Sequence, residues 1–139
     1  MLNILLIEDD ESDTFLTIQA LKKCTVQTEI VVLNDSKSVF SFLKNEISSS
    51  SFSRPDIILL SFSLPRKDGM SILRRLKKDK KLADIPVVIL STSSSEQLIR
   101  KCYAEYASGY ICKPFDFDMY VRRIDCFAQY WDQSVILAN

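Results

Sequence analysis

The chain has 139 residues and a mass of 15.9 kDa, the size of one domain, so separate catalytic and regulatory domains are not expected. Hydrophobic residues make up 47% and charged residues 26%, which is the balance of a soluble globular chain and not of a disordered one. Eighteen basic side chains offset eighteen acidic ones, so no global attraction draws the chain to nucleic acid or anionic lipid, and the absence of histidine excludes histidine bases, metal ligands and phosphohistidine carriers.

The first apolar segment, 3–7, reads as a buried strand and runs directly into Glu8-Asp9-Asp10, too soon for a signal peptide. Residues 12–23 have helical spacing, with Phe15, Ile18 and Leu21 on the inward face. A second strand at 29–33 is followed by a helix at 36–45, with Asp35 as cap and Val39, Phe40 and Leu43 inward. The serine-rich stretch 47–53 reads as a surface loop.

Strand 57–61 precedes a helix at about 69–79, with Ile72, Leu73 and Leu76 inward. That helix leaves Arg74, Arg75, Lys77, Lys78, Lys80 and Lys81 as a basic stripe, read as a solvated face. Strand 87–91 leads to a helix at about 95–106, capped by Ser94 or Ser95 and carrying Leu98, Cys102 and Tyr106. Strand 109–112 leads to a last helix from Asp116 that carries Tyr120, Ile124, Phe127 and Trp131. Cys24, Cys102, Cys112 and Cys126 form no C-x-x-C and lie in apolar stretches, which predicts reduced core thiols and a cytoplasmic protein. No stretch approaches about 18 apolar residues, so no membrane span is expected.

Five strand–helix alternations in this length predict an α/β fold with a parallel sheet covered on both faces. Ligands of such sheets bind beyond the carboxyl ends of the strands. Those ends carry Glu8-Asp9-Asp10, Ser61-Phe62-Ser63, Ser91-Thr92-Ser93 and Lys113-Pro114. Carboxylates opposite a hydroxyl and a lysine suit an oxygen-ligated Mg²⁺ and a phosphoryl group; the acidic run read alone equally suits a helix N-terminus.

The segments ILLIEDD, PDIILLSFSLPRKDGM, IPVVILSTSS and SGYICKPF, in this order and spacing, resemble the receiver domains of two-component response regulators over essentially the whole chain. The K-D-K-K-L-A-D-I-P spacer and the Tyr130-Trp131 end with its apolar tail look most like small single-domain regulators of the bacterial-phytochrome-partner type. The resemblance implies a flavodoxin-like (βα)5 doubly wound parallel sheet of order 2-1-3-4-5, with a receiver over 1–131 and a C-terminal tail over 132–139. It implies Asp9 as a direct Mg²⁺ ligand and Glu8 as one acting through water, with Ser63 beside the metal. Ser91 and Lys113 would line the phosphate pocket, and Tyr110 would be the aromatic switch.

One position departs from the family. Its phospho-accepting aspartate, in D-x-x-x-P, is matched here by Ser61 in Ser61-Phe62-Ser63-Leu64-Pro65. A serine hydroxyl is not ionised at neutral pH and needs a base to attack phosphohistidine, so Ser61 is expected to be a poor acceptor and Mg²⁺ affinity is expected to be weakened. Lys113 is expected to pair with Asp9 or to hydrogen-bond Ser61.

Three readings follow. The first is a degenerate receiver that acts as a protein-interaction module, not an enzyme, with a histidine kinase or another signalling protein as partner and with the fourth helix, fifth strand and fifth helix as output surface, carrying Tyr103, Tyr110 and Tyr120. The second keeps phosphorylation, on Ser61 or a neighbouring carboxylate. The third is a Mg²⁺-dependent phosphoryl hydrolase, which lacks an activated nucleophile. The Trp131 and 135–137 strip either joins a homodimer or folds back on its own core.

Overall fold

The computed structural model describes residues 1–48, 54–62 and 68–138. Its strands are β1 (Leu2–Ile7), β2 (Thr28–Leu33), β3 (Ile57–Phe62), β4 (Val87–Ser91) and β5 (Gly109–Cys112). They alternate with α1 (Glu11–Lys22), α2 (Ser36–Ser48), α3 (Asp68–Lys78), α4 (Glu96–Ala104) and α5 (Phe117–Gln129), and a π turn over Tyr130–Ser134 continues α5. All neighbouring strands run parallel, in the order β2-β1-β3-β4-β5. This is the flavodoxin-like arrangement that the family resemblance implies.

The central strands are apolar at nearly every position because helices cover both sheet faces. Along β1, Leu5 and Ile7 join one core with Val39 and Leu43 of α2, Ile72, Leu73 and Leu76 of α3, and Cys102 of α4. The alternate residues Leu2, Ile4 and Leu6 join a second core with Ala20 and Leu21 of α1 and with Tyr120, Ile124 and Phe127 of α5. Each fully buried Leu or Ile contributes about 1.5–3 kcal/mol relative to exposure, so the two cores fix which helix lies on which face.

Caps set the helix starts. The Asp10 carboxylate accepts from Asp13 N, Asp35 from Ser38 N, Ser95 Oγ from Leu98 N and Asp116 from Asp118 N. Ser95, not Ser94, therefore caps α4. α2 runs past the expected end at 45 to Ser48, and residues 49–53 of the serine-rich stretch lie outside the described residues.

Three expectations are corrected. Phe15 does not face the core but is 61% exposed, because the inward face of α1 runs through Thr17, Ala20 and Leu21, with the Thr17 hydroxyl bonded to Tyr120 Oη at 2.8 Å. Tyr106 lies beyond the end of α4 in the left-handed region (φ 70°) and is 75% exposed; Ala107 N returns to Cys102 O at 3.0 Å and closes the helix. Cys126 is exposed on α5, although all four cysteines are free thiols and Cys102 is fully buried.

Half of the basic stripe makes contacts with the protein. Lys77 Nζ donates to Ala83 O (3.1 Å) and Ile85 O (2.9 Å), and its partial burial lowers the ammonium pKa. The Arg75 guanidinium lies 3.9 Å from the Phe40 ring centre, and Arg74 Nε donates to Glu105 at 2.9 Å. Lys78, Lys80 and Lys81 are exposed, which agrees with a solvated face. No helix among the described residues is long and apolar enough to cross a membrane.

Candidate functional site

Parallel register brings the strand ends together. Ile7 pairs with Leu60, so Glu8 follows beside Ser61. Phe62 pairs with Ser91, and Ser91 with Cys112, whose successor Lys113 donates its backbone N–H to Ser91 O at 2.7 Å. Four segments far apart in the chain thus meet at one end of the sheet.

At the centre is the Lys113 ammonium. Its Nζ lies 3.2 Å from Glu8 Oε1, 3.3 Å from Ser61 Oγ and 3.6 Å from Asp13 Oδ2. The Glu8 side chain is 1% exposed, that of Lys113 10% and that of Asp13 41%. Glu8 is fully engaged: its second oxygen, Oε2, accepts from Asp9 N (3.0 Å) and Asp10 N (3.4 Å) at the start of α1. Such burial of a carboxylate is sustained only by an opposite charge and by hydrogen bonds to its remaining oxygen, and Glu8 has both.

Among the described residues, Glu8 and Asp13 are the carboxylates at ion-pair distance from Lys113, and of the two expected alternatives, pairing with Asp9 or a hydrogen bond to Ser61, the bond to Ser61 is present. Asp9 is partly exposed at the end of β1. Asp10 is the exposed N-cap of α1. Ser63 lies outside the described residues. Asp13 was not singled out in the sequence because it reads as one of several polar residues on a helix face. The signal available was its place three residues after the Asp10 cap, which puts it in the first turn.

The Ser91 side chain is buried and accepts from Ser93 N at 3.1 Å. Ser93 O accepts in turn from the Tyr110 hydroxyl at 2.7 Å, so the loop after β4 ties the serine to the aromatic ring of β5. The Tyr110 ring packs against the core formed with α2, α3 and α4, and burial raises its phenol pKa.

Among the described residues no three carboxylate or thiol side chains are grouped so as to hold a metal ion. Among the expected metal positions, Glu8 Oε2 accepts two backbone N–H groups and Oε1 accepts from Lys113, Asp9 is partly exposed, and Ser63 lies outside the described residues.

A model of the response regulator receiver domain matches residues 4–125. The chain belongs to this family. Response regulator Rcp1 of Synechocystis sp. is 31% identical over 134 residues, 96% of this chain and 91% of Rcp1. The solved Mn²⁺-bound form of Rcp1 superposes with a TM-score of 0.84 at 30% identity, each chain covered completely. The phosphorylated cyanobacterial phytochrome response regulator RcpA gives 0.85 at 34% identity, covering 99% of this chain and 98% of RcpA. The receiver is thus related to phytochrome response regulators, which are signalling proteins.

The expected output surface is partly redrawn by the fold. Tyr120 is buried between α5 and α1 and cannot serve a partner, whereas Tyr103, Tyr106 and Tyr130 are exposed. A groove of about 650 Å³ beside β5 is lined by Tyr103, Tyr110, Arg122, Cys126, Tyr130 and Trp131. Trp131 and Leu137 pack against the α1–α5 core, while Ile136 is 100% exposed.

Proposed function

We propose that this receiver acts in two-component signalling as a protein-interaction module without ordinary aspartyl phosphorylation, and that Ser61 stands where receivers carry their acceptor aspartate. The observation that supports this most is the closed state of the pocket. Lys113 hydrogen-bonds Glu8 and Ser61 and lies 3.6 Å from Asp13, so its charge is balanced within the protein. In this reading Ser91 and Lys113 are remnants of a phosphate pocket, and Tyr110 is held by Ser93 whatever the phosphorylation state.

The same reading makes Mg²⁺ binding weak. Glu8, Asp9 and Ser63 are the family's metal positions by resemblance, yet Ser61 supplies no charge and Glu8 is committed to Lys113. Partner choice then rests on the surface of α4, β5 and α5, where the groove beside β5 offers exposed tyrosines and Arg122 to a histidine kinase or another signalling protein in the cytoplasm; nucleic acid and membrane are not partners. The exposed Ile136 on the tail makes a second copy a further candidate partner, which sedimentation at varied concentration tests.

Intact-mass measurement after incubation with acetyl phosphate and Mg²⁺ tests the central statement. An acyl phosphate on any aspartate contradicts it. A stable ester on Ser61 would replace it with a serine-phosphorylated receiver, in which Lys113 holds the new charge.

A further inference from the structure

An ammonium group has three N–H donors. Lys113 donates to two acceptors, Glu8 Oε1 and Ser61 Oγ, and on its remaining side Asp13 Oδ2 stands at ion-pair distance, 3.6 Å, where an incoming anion would approach. The three partners differ in kind. Glu8 is buried and anchored at both oxygens, and Ser61 is fixed on β3 and neutral. Asp13 is charged, 41% exposed and held on the first turn of α1 with nothing but the longest of the three contacts binding it to the lysine.

We infer that Asp13 is a built-in plug: its carboxylate takes the place at Lys113 that an oxyanion would take and keeps the Lys113–Ser61 pocket closed to phosphate-like anions. The inference rests on the closed-pocket reading above and deepens it by naming the residue that does the closing. The exclusion is electrostatic: an anion entering beside Lys113 meets the Asp13 charge at short range.

The test is a titration with inorganic phosphate, without divalent cations, following the amide resonances of Ser61, Ser91 and Lys113. Asp13→Asn keeps the shape and removes the charge. It should bind phosphate about tenfold more tightly than the unmodified chain. The gain should vanish in Asp13→Asn/Lys113→Met. Glu11→Gln makes the same charge change on the exposed part of that helix turn and should give no gain. Equal affinity in Asp13→Asn and the unmodified chain, including no binding by either, overturns the inference. So does a gain that survives loss of Lys113 or is reproduced by Glu11→Gln. The proposed function fails on a different result, an acyl phosphate on the unmodified chain, so the two can fall separately.

Discussion

Lys113 reaches across the site from the end of β5 to Glu8 at the end of β1, an ion pair of 3.2 Å between side chains 10% and 1% exposed. Removing one partner strands the other. Lys113→Met should destabilise the fold by about 3 kcal/mol, because a buried carboxylate loses its counter-charge. Lys113→Met/Glu8→Leu should cost clearly less than the sum of the two single changes. Urea unfolding of the four proteins measures this coupling; additive losses would mean that the pair is not a unit.

The 2.8 Å hydrogen bond between Thr17 and Tyr120 joins α1 to α5 inside a core. Tyr120→Phe leaves the Thr17 hydroxyl buried without that partner and should cost about 1–2 kcal/mol, most of it recovered by adding Thr17→Val. Double-mutant unfolding experiments check the recovery.

Burial, opposed only in part by the Thr17 bond, pushes the Tyr120 phenol from 10.0 to about 12, and burial pushes the Cys24 and Cys102 thiols from 9.0 to about 11. The folded state thus keeps protons that the unfolded chain gives up. This contribution to stability is fully present below pH 9.0 and is lost as pH rises through about 11 and then about 12. Stability measured by urea at increasing alkaline pH should fall from pH 9.0 upward, and Tyr120→Phe should flatten the part of the decline above pH 10.0.

Sequence patterning located the five strands and five α-helices of the described residues, though not the π turn after α5, because the two-sided core demands apolar runs in the strands and stripes in the helices. It failed where a polar residue took a core place. Thr17 is inward because Tyr120 satisfies it from a helix about a hundred residues away, and no local pattern announces that pairing; Phe15, the more apolar choice, is left outside. At the site, strand ends identified Glu8, Ser61, Ser91 and Lys113 as neighbours, since register alone brings them together. Which carboxylate reaches the lysine depends on side-chain direction after the sheet ends, and there Glu8 and Asp13 lie at ion-pair distance while the expected bond to Ser61 forms.

Tyr106 shows the same limit at a helix end. Apolar spacing extended α4 to include it, but the chain turns left-handed there. A non-glycine residue in that conformation costs about 1–2 kcal/mol, and the exposed ring recovers little by packing. Tyr106→Gly should therefore raise stability by about 1 kcal/mol, whereas Tyr106→Ala should not; thermal unfolding of both variants decides.

Gly69, in the first turn of α3, lies against the Phe62 ring. A Cβ there would sit 2.5 Å from Phe62 Cδ1. Phe62 is the last residue of β3 and pairs with Ser91, so a methyl at 69 must displace the ring that sits next to the site. Gly69→Ala should destabilise the receiver by about 2 kcal/mol, and Gly69→Ala/Phe62→Leu should recover part of the loss in urea unfolding.

The most direct test of the account concerns Ser61 itself. The unmodified chain and Ser61→Asp are incubated side by side with acetyl phosphate and Mg²⁺, and each is weighed intact by mass spectrometry. A gain of one phosphoryl group is predicted on Ser61→Asp, where a carboxylate stands beside Lys113, slower than on Ser61→Asp/Asp13→Asn treated alike because Asp13 still opposes the incoming anion, and no gain is predicted on the unmodified chain. A phosphoryl group carried by an aspartate of the unmodified chain would contradict it.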